Sequence, residues 1–429
     1  MKLLLKAGRV INPGQNFDGI ADVLIENGIV AEIGRELSAG DAEIFDAAGL
    51  VIAPGLIDMH VHLREPGQEA KEDVGSGTRA AAAGGFTTIA CMPNTKPVVD
   101  NAITVSGLLQ RAQVEGRVKV KVIGALSKGQ EGRELAEVGD MLQAGAVAIS
   151  DDGHYVDSAR LLLNGLEYLT SFDRPVISHA EDESLAGDGS MHEGAVSAML
   201  GMNGRPSVAE DIAVARDILL AEYAGGSVHI AHVSSKGAVE LIRQAKQRGV
   251  RVTAEVTPHH LTLTDEVVNS FDTATKVNPP LRSADHIEAL LAGLKDGTLD
   301  AIASDHAPHA FEEKDREYRY APSGFAGLET SLGVVLTRLY HTGKFTLNEI
   351  VERMSAAPAR ILKLNSGVIK VGEAADITVI DPDLEWVVDS TRFYTRGRMT
   401  PFDGMKLKGK AIATIVSGKL IMQNGEVHA

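Results

Sequence analysis

The chain has 429 residues, enough to bury a large core and to divide into two or three domains. Its 44 % apolar and 23 % charged residues are those of a soluble globular protein, and a formal net charge of −16 argues against nucleic acid or an anionic membrane surface as partner. No apolar run reaches the roughly 18 residues of a membrane span, and the opening MKLLLKAGRVINPG returns to charged and polar residues too soon for the apolar core of a signal peptide. Cys91 is the single cysteine, so no internal disulfide forms and a reducing cytoplasm is the expected location.

Residues 1–52 alternate in short β-type runs, such as 21–26 and 29–33 around a turn at Asn27-Gly28. From Gly55 the pattern changes to apolar strand-like runs separated by helical stretches: 55–62, 86–92, 118–125, 146–150, 175–179, 228–233, 251–257 and 300–305. Glycines mark helix stops, with 136–143 ending before Gly145, 237–248 before Gly249 and 284–295 before Gly297. From about residue 366 the short β runs return at 375–380, 411–416 and 420–422. The expected class is α/β: a (β/α)₈ barrel over 53–365, with 1–52 and 366–429 joining into one small β-domain and setting the termini side by side. A doubly wound open sheet is the rival, but no GxGxxG follows the first barrel strand.

Strand after strand ends in a metal-ligand type: His60 and His62, Asp151-Asp152, His179, His232, and Asp305-His306. In a barrel of this kind all strand C-termini meet on one face. Alone, a His–x–His pair fits a solvated loop; five strand ends delivering histidine and carboxylate to one region do not. Imidazole with carboxylate suits zinc or a neighbouring first-row metal, and two ions fit better than one. His60, His62 and Asp305 can hold the first, and His179 with His232 the second, bridged by a carboxylate from strand 4. Strand parity favours Asp152 over Asp151 as the bridge, since Asp152 alternates with Ala146, Ala148 and Ser150. Such a site turns water into a nucleophile near neutral pH, with Asp305 able to take a proton and pass it to a departing nitrogen. The reaction class is hydrolysis, or reversible formation, of an amide-type bond.

DMHVHLREPG (58–67), MPNTKPVVDN (92–101), SDDG (150–153), SHAED (178–182), AHVSS (231–235), EVTPHH (255–260), KVNPPLR (276–282), SDHAPH (304–309) and APSGFAGLET (321–330) together resemble the class I dihydroorotases over nearly the whole chain. The resemblance implies zinc-dependent, reversible ring closure of N-carbamoyl-L-aspartate to L-dihydroorotate in pyrimidine synthesis, with two Zn²⁺ per subunit. It assigns His60, His62 and Asp305 to one zinc, His179 and His232 to the other, and Asp152 as the bridge, with Asp305 catalytic. Substrate contacts carry over to His62, Arg64, Asn94, Asn278, His309, Ser323 and Gly324. It also implies a homodimer and leaves open assembly with aspartate transcarbamoylase. Physically, Arg64 can fork onto a substrate carboxylate; its alternative is an ion pair with Glu65 or Glu69.

The remaining candidates read as structural. His229, three before His232, is expected on the opposite strand face against a helix, His259 and His260 in structural hydrogen bonds, and His306 supporting its neighbours. His154, His192, His286, His341 and His428 are expected at the surface, and the charged run 312–316 as a solvated face or, failing that, a mobile lid. The competing functions are another ring amidohydrolase (dihydropyrimidinase, hydantoinase or allantoinase), which carries a carbamylated lysine where SDDG stands, and a silent scaffold homologue.

Overall fold

Apolar runs that bury both faces form parallel strands, and eight of them pair here in chain order. In the computed structural model, which describes residues 2–428, the barrel strands are Leu56–Val61, Phe86–Cys91, Lys119–Gly124, Ala146–Ser150, Val176–Ser178, Val228–Ile230, Val252–Val256 and Ala301–Ile302. The first and last close the ring just past their regular ends, where Val61 bridges His306 and the His62 N–H donates to the His306 carbonyl at 2.8 Å. Met59, Ala90, Ile123, Ala148, Ile177, Ala231 and Ala301, from seven strands or their ends, form one buried cluster that fills the barrel. The preponderance of alanine there leaves width for the larger polar side chains at the mouth.

Several strands are shorter than the apolar runs suggest. The sixth stops at Ile230 and the eighth at Ile302, because the chain then leaves the extended region: His232 has φ 33° and Asp305 φ 48°. Helices stop where glycine allows the reversal, as Ala284–Asp296 does at the left-handed Gly297. No helix among the described residues is long and apolar enough to cross a membrane.

The two chain ends build one sheet. Its order is Glu426–Val427, Lys419–Gln423, Lys406–Val416, Ile377–Val387, Val51–Pro54, Lys2–Asn12, Phe17–Glu26 and Ile29–Gly34, with Glu43–Asp46 pairing Lys2–Asn12 off this path. The join is the antiparallel pairing of Ile377–Val387 with Val51–Pro54, in register from Ile377 opposite Pro54 to Ile380 opposite Val51. Leu3, Leu5, Val23, Ile25 and Ile52 from one end share a core with Ile369, Ile377, Val379 and Ile415 from the other, so neither half buries its apolar face alone. The termini are not side by side, however. Four strands separate Lys2–Asn12 from the edge strand Glu426–Val427, because the second segment adds to the sheet at Val51–Pro54 and not at the first strand.

This sheet is keyed to the barrel by buried hydroxyls. Thr378 accepts from the Leu56 N–H at 3.1 Å and donates to the Gly85 carbonyl at 2.6 Å, while Thr414 donates to the Ala82 carbonyl at 2.7 Å. Thr378→Val keeps the side-chain shape but strands two buried backbone groups, and is expected to cost about 1–3 kcal/mol. Denaturant titration should show the loss with kcat unchanged; an unshifted midpoint would mean that these groups find other partners.

Candidate active site

Strand parity carries Asp152 inward past the fourth strand, and the structure places it among four imidazoles. Its Oδ2 lies 3.4 Å from His60 Nε2 and 3.5 Å from His62 Nε2. Its Oδ1 lies 3.6 Å from His179 Nδ1 and 3.5 Å from His232 Nε2. One oxygen thus faces each histidine pair, the disposition of a bridge. Asp305 Oδ1 adds to the first pair, 3.3 Å from His62 Nε2 and 3.6 Å from His60 Nε2. Asp151 faces away, accepting from the Leu126 and Ser127 N–H groups at 2.8 and 3.0 Å.

These spacings suit metal ions. Two ligands of a tetrahedral zinc, each about 2.0–2.1 Å from it, stand about 3.3–3.4 Å apart. Three ligand atoms gather within 4.8 Å of one another in His60–His62–Asp305, and again in His60–Asp152–His232. His60 Nε2 and Asp152 Oδ1 are buried without a hydrogen-bond partner among the described residues, a costly state that a cation relieves. Burial pushes the Asp152 and Asp305 carboxyls up, but neighbouring histidines outweigh it and hold both ionised, well below the usual carboxylate range. His179 and His232 approach through Nδ1 and Nε2 at 2.9 Å.

The outer nitrogens orient these rings. His60 Nδ1 lies 2.6 Å from Glu255 Oε1, and Glu255 Oε2 lies 3.2 Å from His229 Nε2. A proton on His60 Nδ1 leaves the Nε2 lone pair for the cluster. Burial pushes the Glu255 carboxyl up, but the neighbouring His60 and His229 outweigh it and hold it down at about 2. His62 does likewise through Nδ1 at 2.8 Å from Asn94 Oδ1.

A cavity of about 190 Å³ opens over the cluster, below the roughly 300–1,000 Å³ of drug-sized sites and suited to a small ring. Arg64, Asn94, Asn278, His309, Ser323 and Gly324 line it together with His62, Asp152, His179, His232 and Asp305. Arg64 is buried, and its Nε donates to the Pro308 carbonyl at 3.2 Å. The surface ion pair does not form: Glu65 pairs with Arg111 at 3.0 Å, and Glu69 accepts from the Gly67 N–H. Burial lowers the Arg64 pKa to about 10, so the guanidinium keeps its charge at neutral pH. His309 Nε2 lies 3.4 Å from Arg64 Nη2 and 2.8 Å from the Ser323 carbonyl. Arg205 Nη1 donates to Asn278 Oδ1 at 2.6 Å, which turns the Asn278 amide nitrogen towards His179 Nε2 at 3.0 Å.

Some sequence expectations need correction. His229 is not packed on a helix; it reaches Glu255 and Thr253, since the kink at His232 brings residues three apart to the same side. His260 does make structural bonds, to Thr257 and Pro279. His259 Nε2 has no partner among the described residues, and its ring packs on Phe325 at 5.0 Å. His306 sends its ring to Glu72 and supports the site through its backbone. His192 and His286 are buried together, 5.3 Å between ring centroids, and His341 is half-buried on the Pro382 carbonyl; His154 and His428 are exposed as expected. In the charged run, Glu312, Asp315 and Arg316 are exposed, but Lys314 is buried. Glu255 and Arg205 were missed as site residues; Glu255 was visible as a lone carboxylate inside the apolar strand VTAEV.

Glu255→Gln keeps the shape but weakens the acceptor behind His60, and is expected to lower metal affinity about 10–100-fold. Titration of the metal-stripped variant checks this, and wild-type affinity would remove Glu255 from the support of the site.

Comparison with known proteins agrees with the geometry. A Dihydro-orotase-like family model matches residues 49–238, and an Amidohydrolase family model matches 326–422. The chain is 53 % identical over 422 residues to a dihydroorotase of Pelobacter propionicus, covering 98 % of this chain and 99 % of the relative. It is 54 % identical over 424 residues to one of Pelotomaculum thermopropionicum, covering 99 % of each. Among solved structures, an L-hydantoinase from Arthrobacter aurescens superposes with a TM-score of 0.89 at 28 % identity, covering 100 % of this chain and 97 % of that one. A dihydropyrimidinase from Brevibacillus agri gives 0.87 at 25 % identity, covering 100 % and 96 %. Likeness above half identity along essentially its whole length means that the chain belongs to the dihydroorotase family of amidohydrolases, enzymes that hydrolyse a cyclic amide.

Proposed function

We propose that the chain is a two-zinc dihydroorotase that interconverts N-carbamoyl-L-aspartate and L-dihydroorotate for pyrimidine synthesis in the cytoplasm. The observation that carries the choice of substrate is Arg64: a buried guanidinium, paired with no carboxylate among the described residues, in the same cavity as the imidazole–carboxylate cluster. On this reading His60, His62 and Asp305 would hold one zinc and His179 and His232 the other, with Asp152 able to serve both. When bound, such ions lower the pKa of water and polarise a carbonyl oxygen. Asp305 accepts a proton from the attacking water and returns it to the ring nitrogen as the amide bond breaks; ring closure runs the same transfers backwards. Arg64 forks onto the ring carboxylate, Asn94 and Asn278 orient the ring, and His309 with the Ser323-Gly324 turn closes the wall. The barrel, taken as 53–365, carries all of these groups, and the composite domain of 1–52 and 366–429 braces it.

The rival reading, a hydantoinase or dihydropyrimidinase, has the support of the structural neighbours. Identities of 28 % and 25 % to those proteins stand against 53 % and 54 % to dihydroorotases, and an unsubstituted dihydropyrimidine ring lacks the carboxylate that Arg64 would hold. The silent-scaffold reading is disfavoured because every expected ligand type is in place around Asp152.

A bidentate charged hydrogen bond contributes roughly 1.5–3 kcal/mol, or about ten- to 150-fold in kcat/KM. Arg64→Ala is expected to lose that much on dihydroorotate while hardly changing the slow turnover of dihydrouracil, the same ring without the carboxylate. Turnover of both rings and of N-carbamoyl-L-aspartate, with metal analysis, tests the assignment. Equal losses on both rings would assign Arg64 to the metal site, and efficient wild-type hydrolysis of dihydrouracil would favour dihydropyrimidinase.

A homodimer has its own support. On the helix Val208–Ala224, Val208, Ile212, Leu219 and Tyr223 are 43, 47, 61 and 78 % exposed. Their spacing reads the same in both directions, so two antiparallel copies would set Val208 against Tyr223 and Ile212 against Leu219 across a two-fold axis. Leu219→Glu should yield monomers by sedimentation; a dimer as tight as wild type would locate the interface elsewhere. Assembly with aspartate transcarbamoylase rests on the resemblance alone.

A further inference from the structure

Lysine is almost never fully buried without a carboxylate, yet Lys314, in the middle of the charged run after the eighth strand, is 1 % exposed. It makes no ion pair among the described residues. Its ammonium donates instead to two carbonyls, Pro322 at 2.9 Å and Gly324 at 2.8 Å. Burial, and then the charge of Lys276, lowers its pKa to about 7. Burying this group on neutral oxygens is costly, and the two hydrogen bonds offset only part of that cost.

They hold the turn whose Ser323 and Gly324 line the substrate cavity. The carbonyl between them, on Ser323, is held by His309 Nε2 at 2.8 Å, and the Gly324 N–H donates to the Lys276 carbonyl at 2.9 Å. Gly324 adopts φ 118°, and a Cβ there would stand 2.5 Å from the Ala307 carbonyl oxygen, so only glycine lets the turn backbone approach Ala307, another residue lining the cavity, this closely. Lys314 is itself anchored, its carbonyl accepting from Thr273 Oγ1 at 2.7 Å. A path of direct contacts therefore runs from Thr273 through Lys314 to the turn, touching no metal-ligand candidate.

We propose that Lys314 is a positioning residue for substrate: its buried ammonium fixes the Pro322–Gly324 turn as a wall of the pocket and so sets how tightly the ring is held. This rests on the pocket being the dihydroorotate site. The test is steady-state kinetics on dihydroorotate with metal content, using Lys314→Met, which keeps the length and removes the donors, and Lys314→Arg, which restores a cation. Lys314→Met should raise KM roughly tenfold, the order expected for loss of charge-assisted bonds, with kcat within about threefold and metal content unchanged; Lys314→Arg should recover part of KM. A folded Lys314→Met that loses only thermal stability, or that loses kcat and metal at unchanged KM, overturns the proposal. Should Lys314→Met fail to fold, Thr273→Val decides: it frees the lysine's own anchor and should raise KM by a smaller factor, and an unchanged KM overturns the proposal. A wild type without turnover of either substrate would instead sink the dihydroorotate reading, and this proposal with it.

Discussion

Four imidazoles crowd one buried carboxylate, and the rest of the molecule is arranged around that fact. Asp152 stands 3.4–3.6 Å from His60, His62, His179 and His232, too far for good hydrogen bonds and close enough for shared coordination. Buried polar atoms without partners are destabilising, so the cluster needs both a cation and a rigid frame. The frame is the closed barrel, whose last seam runs through the backbone of His306, next to Asp305 and bonded to that of His62.

Delivering the groups also requires the backbone to leave regular geometry. Arg64, His232 and Asp305 all have positive φ, at 60°, 33° and 48°. Such conformations cost of order 1–3 kcal/mol each in residues other than glycine. They persist because interstrand bonds still pin the chain on either side, such as the Val233 N–H to the Glu255 carbonyl at 2.9 Å and the His62 N–H to the His306 carbonyl at 2.8 Å, and because the interior there is lined by small side chains such as Ala231 and Ala303. The strain and the loss of strand length are the same event seen twice.

Charge is handled at short range. The chain carries a net −16, yet the pocket offers Arg64 without a carboxylate partner and histidine and carboxylate groups suited to dications. Surface charges beyond about 8–10 Å are screened, while groups inside a dry cavity are not, so an acidic protein can present an anion-binding site. Glu255 behind His60, Arg205 behind Asn278 and Lys314 behind Ser323-Gly324 follow one pattern, in which a charged group, buried at Glu255 and Lys314 and half-buried at Arg205, orients a neighbour that faces the cavity.

Sequence alone determined what depends on local period and residue chemistry: parallel strands with both faces buried, helices ending at glycine, and ligand types at strand ends. Parity chose Asp152 over Asp151, because the fourth strand runs straight through Ser150 before it ends. Parity failed for His229, because the sixth strand kinks at His232 and the alternation of an ideal strand no longer holds. The small β-domain was legible as two incomplete halves with unpaired apolar faces; that the halves meet at Val51–Pro54, and leave the termini apart, is a choice of register between distant segments. The burial of His192, His286 and Lys314 was decided only by tertiary packing. A polar residue in a loop has no periodicity to reveal its neighbours, and its environment is built by chain brought in from elsewhere, as Pro322 and Gly324 are for Lys314.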